Sequence, residues 1–295
     1  MDKSSPLAEI ADEPLSRRGF LGRSVKYLSV AAAGTFLYTW RVEPHWVEVV
    51  ERAMPIAGLP TSMVGKRLIQ VSDLHAGPIV DQAFLKASLE RIAELRPDAI
   101  VVTGDFMTCH GEESIAQTID ALQSLPKAPL GRLAILGNHD YGSQWRQDRV
   151  ADALCRELER IDLRVLRNEV ASVGDLQIAG IDEFWARSHF QPELALRDLH
   201  TDRAAVALCH NPDGADQPAW ADFQGWILAG HTHGGQCKPP FLPPPLTPVE
   251  NKRYTAGEFD LAPGRWMYIN RGLGYSYRVR FNARPEITVF TLQRA

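Results

Sequence analysis

Cysteine is scarce in this sequence and scattered. Cys109, Cys155, Cys209 and Cys237 form no CxxC pair, which removes the zinc-knuckle and thioredoxin-type readings. Basic residues are in deficit: 32 lysines and arginines against 36 acids leave a net charge of −4. No electrostatic footprint for duplex nucleic acid follows from that balance, and no nucleic-acid partner is expected. Internal repeats are absent. No apolar run reaches the ~20 residues that a membrane-spanning helix needs. The uncharged, mostly apolar stretch Tyr27–Trp40 stops at 14. What is left is ordinary globular composition, 45% apolar and 23% charged, and 295 residues are enough for a sizeable core.

The N-terminus has its own character. Residues 1–15 are polar and acidic, a composition expected to be disordered. "SRRGFLG" (Ser16–Gly22) then carries paired arginines, and Lys26 and Arg41 bracket the apolar stretch. This arrangement resembles a twin-arginine export signal. It implies the twin-arginine machinery as a partner. It also implies a protein facing the periplasm or cell exterior, anchored to the membrane if the leader stays and released if it is cut. Ala31–Ala33 offers small residues for cleavage but interrupts the apolar run. The plainer alternative is a disordered tail with an amphipathic helix. Residues 1–40 are accordingly read as signal or anchor, 41–65 as a connecting segment, and 66–295 as the main domain.

From Lys66 short apolar runs alternate with helical periodicity. "RLIQV" ends at "SDLHAG", "AIVV" at "TGDF", "RLAIL" at "GNHD", "AAVAL" at "CHNPD" and "WILA" at "GHTHGG". Each run suits a strand buried on both faces, and each delivers Asp, His or Asn at once. Ligand sites in open α/β sheets lie beyond the carboxyl ends of strands. Between the runs, Asp81 caps a helix read through Arg96. Ile115, Ile119 and Leu122 mark a second helix, and Val150, Leu154, Leu158 and Ile161 a third. "ASVGDLQIAG" reads as a hairpin turning at Gly174-Asp175. "RWMYINRG" and "EITVFTL" are closing strands, and Lys238–Pro248 is a stiff, proline-rich loop. The alternation alone suggests a doubly wound sheet.

Taken as ligands, Asp73, His75, Asp105, Asn138, His210, His231 and His233 mix carboxylate and amide oxygens with imidazole nitrogens. That mix suits manganese, iron or zinc better than calcium. Seven ligands exceed one tetrahedral ion and suit two ions sharing a carboxylate. The ordered motifs "DLH", "GDF", "GNHD", "HNP" and "GHTHGGQ" resemble the calcineurin-like metallophosphoesterase superfamily, over roughly Lys66 to Gln236. The leader and proline-rich loop are similar to its exported or membrane-linked bacterial phosphodiesterase branch. The resemblance implies an α/β, four-layer αββα sandwich of two mixed sheets flanked by helices. It assigns Asp73, His75 and His233 to one divalent metal ion, and Asn138, His210 and His231 to the other. Asp105 and a water or hydroxide bridge them, the hydroxide attacking phosphorus in line. His139 is implied as the catalytic residue, protonating the leaving oxygen or steadying the phosphoryl group.

Protein phosphatases of the superfamily carry an Asp and an Arg where this chain has Thr108 and Cys109, which argues against that activity and leaves open what orients His139. Asp140 either orients His139 or is solvated, Asp182 and Glu183 are candidates for the cleft and Arg271 for substrate phosphate, whereas His45, His110, His189 and His200 fall outside the matched motifs. The implied function is a dimetal phosphodiesterase or pyrophosphatase on a lipid- or nucleotide-linked substrate. UDP-diacylglucosamine is one case, although its cleavage belongs to the cytoplasmic side and conflicts with export. The alternatives are a nuclease and a non-catalytic scaffold of the same fold.

Overall fold

The computed structural model describes residues 17–108 and 111–295. The expectation for residues 1–15, and Cys109 and His110, fall outside them. By contacts the chain divides after Tyr38. In the first unit, α1 (Arg17–Leu37) buries none of its residues. Among the described residues no helix is long and apolar enough to cross a membrane.

The second unit holds two six-stranded mixed sheets. Its strands are β1 (Glu48–Ile56), β2 (Arg67–Val71), β3 (Ala99–Thr103), β4 (Arg132–Ile135), β5 (Arg164–Val165), β6 (Glu169–Val173), β7 (Leu176–Gly180), β8 (Ala205–Leu208), β9 (Gly225–Ala229), β10 (Gly257–Ala262), β11 (Arg265–Ile269) and β12 (Glu286–Arg294). One sheet runs β1-β12-β2-β3-β4-β5, the other β10-β11-β9-β8-β7-β6. Strand periodicity explains the layering. Leu68, Ala99, Val101 and Leu133 of the first sheet share one buried cluster with Ile178, Val206, Leu208 and Leu228 of the second. The alternate residues Ile69, Val71, Ile100 and Val102 turn the other way. There they meet α2 (Gln82–Glu90), α3 (Glu113–Leu122) and α4 (Asp148–Arg160). Ala207, Ile227 and Ala229 likewise face outward in a third cluster with Ala195 of α5 (Pro192–Arg197) and Trp220. The result is the four-layer sandwich, not a doubly wound sheet.

Local signals act as their chemistry requires. The Asp81 carboxylate accepts from Ala83 N (2.9 Å) and Phe84 N (3.1 Å), capping α2. The helical path tightens to 3₁₀ over Arg91–Leu95, and Arg96 turns left-handed with φ 49°. β6 and β7 form the hairpin, paired Val173 to Leu176. Residues 41–65, read as a connecting segment, contain β1, which pairs in parallel with β12 from Glu48↔Glu286 to Ile56↔Arg294. Glu51 and Arg52 face solvent and interrupt its apolar pattern.

The topology collects the polar strand ends. β2, β3 and β4 are parallel neighbours in one sheet, as are β8 and β9 in the other. Gln70 links the sheets by donating to Thr103 Oγ1 (3.0 Å) and to Ala229 O (2.9 Å).

Candidate metal centre

Backbone bonds lash the loops beyond these strands together. Asp73 N donates to Gly104 O (2.9 Å), His75 N to Asp105 O (3.0 Å), and Gly230 N to His210 O (3.0 Å). The Asp140 carboxylate accepts from Phe106 N (2.8 Å), Met107 N (3.3 Å) and Gly137 N (2.8 Å). It pins the "GDF" loop to the "GNHD" loop and is buried, so it is not solvated, and the Nδ1 of the His139 ring has no hydrogen-bond partner. Thr108, standing where protein phosphatases have Asp, donates to His75 O (3.1 Å).

This framework brings ligating atoms into overlapping clusters. Asp73, His75 and His233 offer ligand atoms within 4.8 Å of one another, as do Asp105, His210 and His231. A third grouping, His75, Asp105 and His139, joins them. His75 Nε2 lies 2.9 Å from His233 Nε2 and 3.6 Å from Asp105 Oδ2. His210 Nε2 lies 3.3 Å from the same Asp105 oxygen and 3.2 Å from His231 Nδ1. Asp105 therefore stands between the clusters. Asn138 is buried, and its Oδ1 has no hydrogen-bond partner.

Second contacts fix the rings. His210 Nδ1 donates to Thr103 O (2.6 Å), turning Nε2 toward Asp105. His231 Nε2 donates to Pro248 O (2.9 Å), leaving Nδ1 for the site. His139 N donates to Asp105 Oδ1 (2.9 Å), while its ring stands edge-on to His75 with centroids 4.7 Å apart. Packing, not a carboxylate, sets its orientation.

Charge follows burial. Burial, reinforced by His139, lowers His75 to about 3. Burial and His210 lower His231 to about 3, and burial and His75 hold His233 well below the usual range. Burial raises the Asp105 carboxyl, but His210 and His139 outweigh it and keep it ionised far below its ordinary range. Asp73 is pushed up to about 6 by burial, against the pull of His210.

These features fit divalent cations. Two neutral imidazoles with Nε2 atoms 2.9 Å apart point lone pairs at a common region, which only a proton or a cation reconciles. Asn138 Oδ1 is a buried acceptor with no donor of its own. Backbone strain gives the same indication. Asp73, His75, Asp105, His231 and His233 adopt φ between 47° and 70°, a region that costs L residues about 1–2 kcal/mol each. Strain of this kind persists where surrounding structure enforces it, commonly at functional sites.

Comparison with known proteins decides the family. Residues 66–235 match the family described as Calcineurin-like phosphoesterase. The chain belongs to it. It is therefore a metal-dependent phosphoester hydrolase, of a family that uses divalent metal ions. An uncharacterized metallophosphoesterase of Bacillus subtilis, YkuE, is 33% identical over 95% of this chain and 98% of its own length. The phosphodiesterase YaeI of Escherichia coli is 28% identical over 94% and 99%. The UDP-2,3-diacylglucosamine pyrophosphatase LpxG of Chlamydia muridarum is 27% identical over 92% and 97%.

The phosphoesterase centre opens into a cleft of about 550 Å³, with Asp105, Asn138, His139, His231 and His233 in its lining. Its other walls are largely apolar, including Trp145, Trp185, Leu246, Pro248 and Val279. Trp145 and Trp185 pack with centroids 4.6 Å apart, and Trp185 stands edge-on to His231 at 4.6 Å. Arg271 is not in this cleft: its guanidinium pairs with Glu286 (2.5 Å) and Glu48 (2.9 Å). Asp182 accepts from Tyr141 Oη (2.6 Å) and pairs with Arg167 (2.8 Å). Glu183 is buried and raised to about 7 by burial, against His210. Sequence reasoning missed Arg280, which is fully buried. It donates to the carbonyls of Arg271 (2.9 Å), Gly272 (3.1 Å) and Ala283 (2.7 Å) and lies 3.4 Å from His233 Nδ1. "RVRF" carries no motif that would have signalled it.

Proposed function

We propose that this enzyme is a phosphodiesterase or pyrophosphatase whose substrate carries an aromatic or acyl group beside the scissile phosphate. The observation that carries the reading is the cleft's combination of floor and walls. Among the described residues, no lysine or arginine lines it. A monoester dianion calls for added positive charge, whereas a diester carries one charge fewer and a second organic substituent that needs a wall. Trp145, Trp185 and Leu246 supply that wall.

In this reading Asp73, His75 and His233 would hold one metal ion and Asn138, His210 and His231 the other, with Asp105 serving both. Two divalent ions, when bound, would supply positive charge for the phosphoryl oxygens and activate water as the nucleophile. The chain's own residues do the rest. His139 stands over the cleft beside Asp105, where its imidazole holds a proton for the leaving oxygen. The apolar walls exclude bulk water and strengthen the charge interactions between floor and phosphate. A lipid- or nucleotide-linked diphosphate such as UDP-diacylglucosamine fits this division, and the LpxG relative supports it. The arginine pair at the start of α1 carries the companion proposal of twin-arginine export, tested by cell fractionation with N-terminal sequencing.

The deciding experiment loads the protein with manganese and compares bis(p-nitrophenyl) phosphate, p-nitrophenyl phosphate and sugar-nucleotide diphosphates. A kcat/KM for the diester at least about tenfold above the monoester is expected, falling about 10²–10⁴-fold in His139→Ala. Equal or greater activity on the monoester, or an unaffected His139→Ala, would overturn the reading.

A further inference from the structure

The proline-rich segment 238–248 is fastened at both ends and bare in the middle. Lys238 N donates to Phe281 O (2.8 Å), and Pro248 O takes the His231 N–H (2.9 Å). Pro244 packs so tightly on the histidine turn that a Cβ at Gly235 would lie 2.1 Å from it. Lys252 braces the far end through Thr247 O (3.0 Å) and Val249 O. Between these anchors Phe241 is 104% exposed and Leu242 60%, while Leu246 is 80% and Tyr277 76% exposed at the cleft mouth. These are the four most exposed large apolar side chains of residues 39–295.

Exposure here is enforced, not residual. Phe241 holds φ 65°, a left-handed conformation that is an outlier for a bulky side chain. Strain and apolar hydration are both borne at one tip, on a backbone that prolines keep stiff. The charges lining the hollow at the tip are of one sign. The hollow beneath Phe241 and Leu242 is lined by Lys238, Lys252 and Arg253 and by no carboxylate, in a chain whose net charge is −4.

We infer that this tip is a docking wedge for an anionic phospholipid surface. Phe241 and Leu242 enter the acyl boundary and Lys238 meets the headgroup phosphates, while Lys252 and Arg253, tied to backbone carbonyls, add positive charge beneath them. Apolar insertion combined with local basic charge is what interfacial binding requires. Leu246 of the same segment lines the catalytic cleft, so docking would bring the cleft mouth to the bilayer. Only this last consequence rests on the proposed function.

The test uses the full chain, with wild type, Phe241→Ser/Leu242→Ser and Lys238→Glu compared in vesicle sedimentation. Because α1 also exposes apolar side chains, the readout is the difference between variants, not binding itself. On phosphatidylcholine vesicles with about one-third phosphatidylglycerol, the double variant should partition at least about tenfold less and Lys238→Glu about fivefold less. The Lys238→Glu deficit should disappear on phosphatidylcholine alone. Hydrolysis of soluble bis(p-nitrophenyl) phosphate should be unchanged in both variants, which reports that they are folded. Equal partition of wild type and double variant overturns the proposal. So does concentration-dependent self-association in sedimentation velocity that the double variant abolishes while vesicle binding stays the same. If wild type fails to hydrolyse the diester yet the partition differences hold, the function reading falls and the docking surface stands.

Discussion

Replacing Gly230 by alanine perturbs the metal site through a single methyl group. Gly230 does not use the left-handed region, so backbone strain does not enter. The new Cβ would lie 2.0 Å from Ser72 Oγ and 2.4 Å from Asp73 Oδ2, where ordinary contact begins at 3.4 Å. Ser72 can rotate away at the cost of its bond to Thr103 O (3.2 Å), about 1 kcal/mol. Asp73 has less freedom. Its carboxylate accepts from His231 N at 3.0 and 3.1 Å, and Gly272 packs so closely that a Cβ there would lie 2.6 Å from Asp73 Cβ. Restoring contact distance displaces the carboxylate oxygen by 1.0 Å, from 3.4 − 2.4. A misplacement of that size costs about a hundredfold in rate, and overpacking costs about 1–3 kcal/mol of stability. The assay is kcat/KM on bis(p-nitrophenyl) phosphate, with metal content by elemental analysis after dialysis and Tm by calorimetry. Gly65→Ala is the control: at φ +80° with nothing within 4 Å, it should lose about 1 kcal/mol of stability and no activity. Gly230→Ala retaining both metals and kcat/KM within about threefold would refute the steric argument.

If the proposed division is right, His231→Ala should weaken the ion assigned to Asn138 and His210, and His233→Ala the ion assigned to Asp73 and His75. Metal analysis showing loss of the same ion in both would contradict that division. His233→Gly should be about 1 kcal/mol more stable than His233→Ala in chelator-treated protein, because φ 52° strains alanine and not glycine; equal urea midpoints would remove strain from the account. Asp140→Asn keeps the shape but leaves one of two accepting positions to an NH₂ that faces N–H donors. About 2 kcal/mol should be lost in urea denaturation.

Much of the site was legible because its chemistry is local. Each ligand follows its strand by two to four residues, so apolar run and motif sit side by side in the sequence. The Asp81 cap and the Gly174-Asp175 turn are local for the same reason. The layering was not legible from periodicity. A strand buried on both faces reads alike whether helices cover both sides or a second sheet covers one. β1 was passed over because its partner is β12, more than 200 residues away, and its exposed Glu51 and Arg52 break the apolar pattern. Arg271 was misjudged for a similar reason, since Glu48, one of its two partners, is remote in sequence. In the "GHTHGGQ" turn His231 and His233 adopt left-handed φ along with Gly234 and Gly235, whereas Gly230 does not. Gly230 is needed for the space it leaves to Ser72 and Asp73.

The division of charge within the cleft gives the specificity argument its force. Two carboxylates, Asp73 and Asp105, face two divalent ions in the proposed arrangement, so the floor retains net positive charge of about +2. The walls add none among the described residues: the nearby Arg271 is spent on Glu48 and Glu286, and Arg280 on backbone carbonyls behind His233. Attraction for phosphate is thereby confined to one end of the cleft. A substrate gains from the other end only by placing apolar or aromatic surface against Trp145, Trp185 and Leu246. A small monoester offers a charged group and nothing for that wall, whereas a diester or diphosphate with a bulky second substituent offers both. Arrangements of this kind discriminate by what the distal group gains on binding, and that gain raises kcat only when it fixes the phosphate against the floor. The Trp185–His231 contact makes such coupling direct, because the wall that would receive the distal group also packs against a residue of the metal centre.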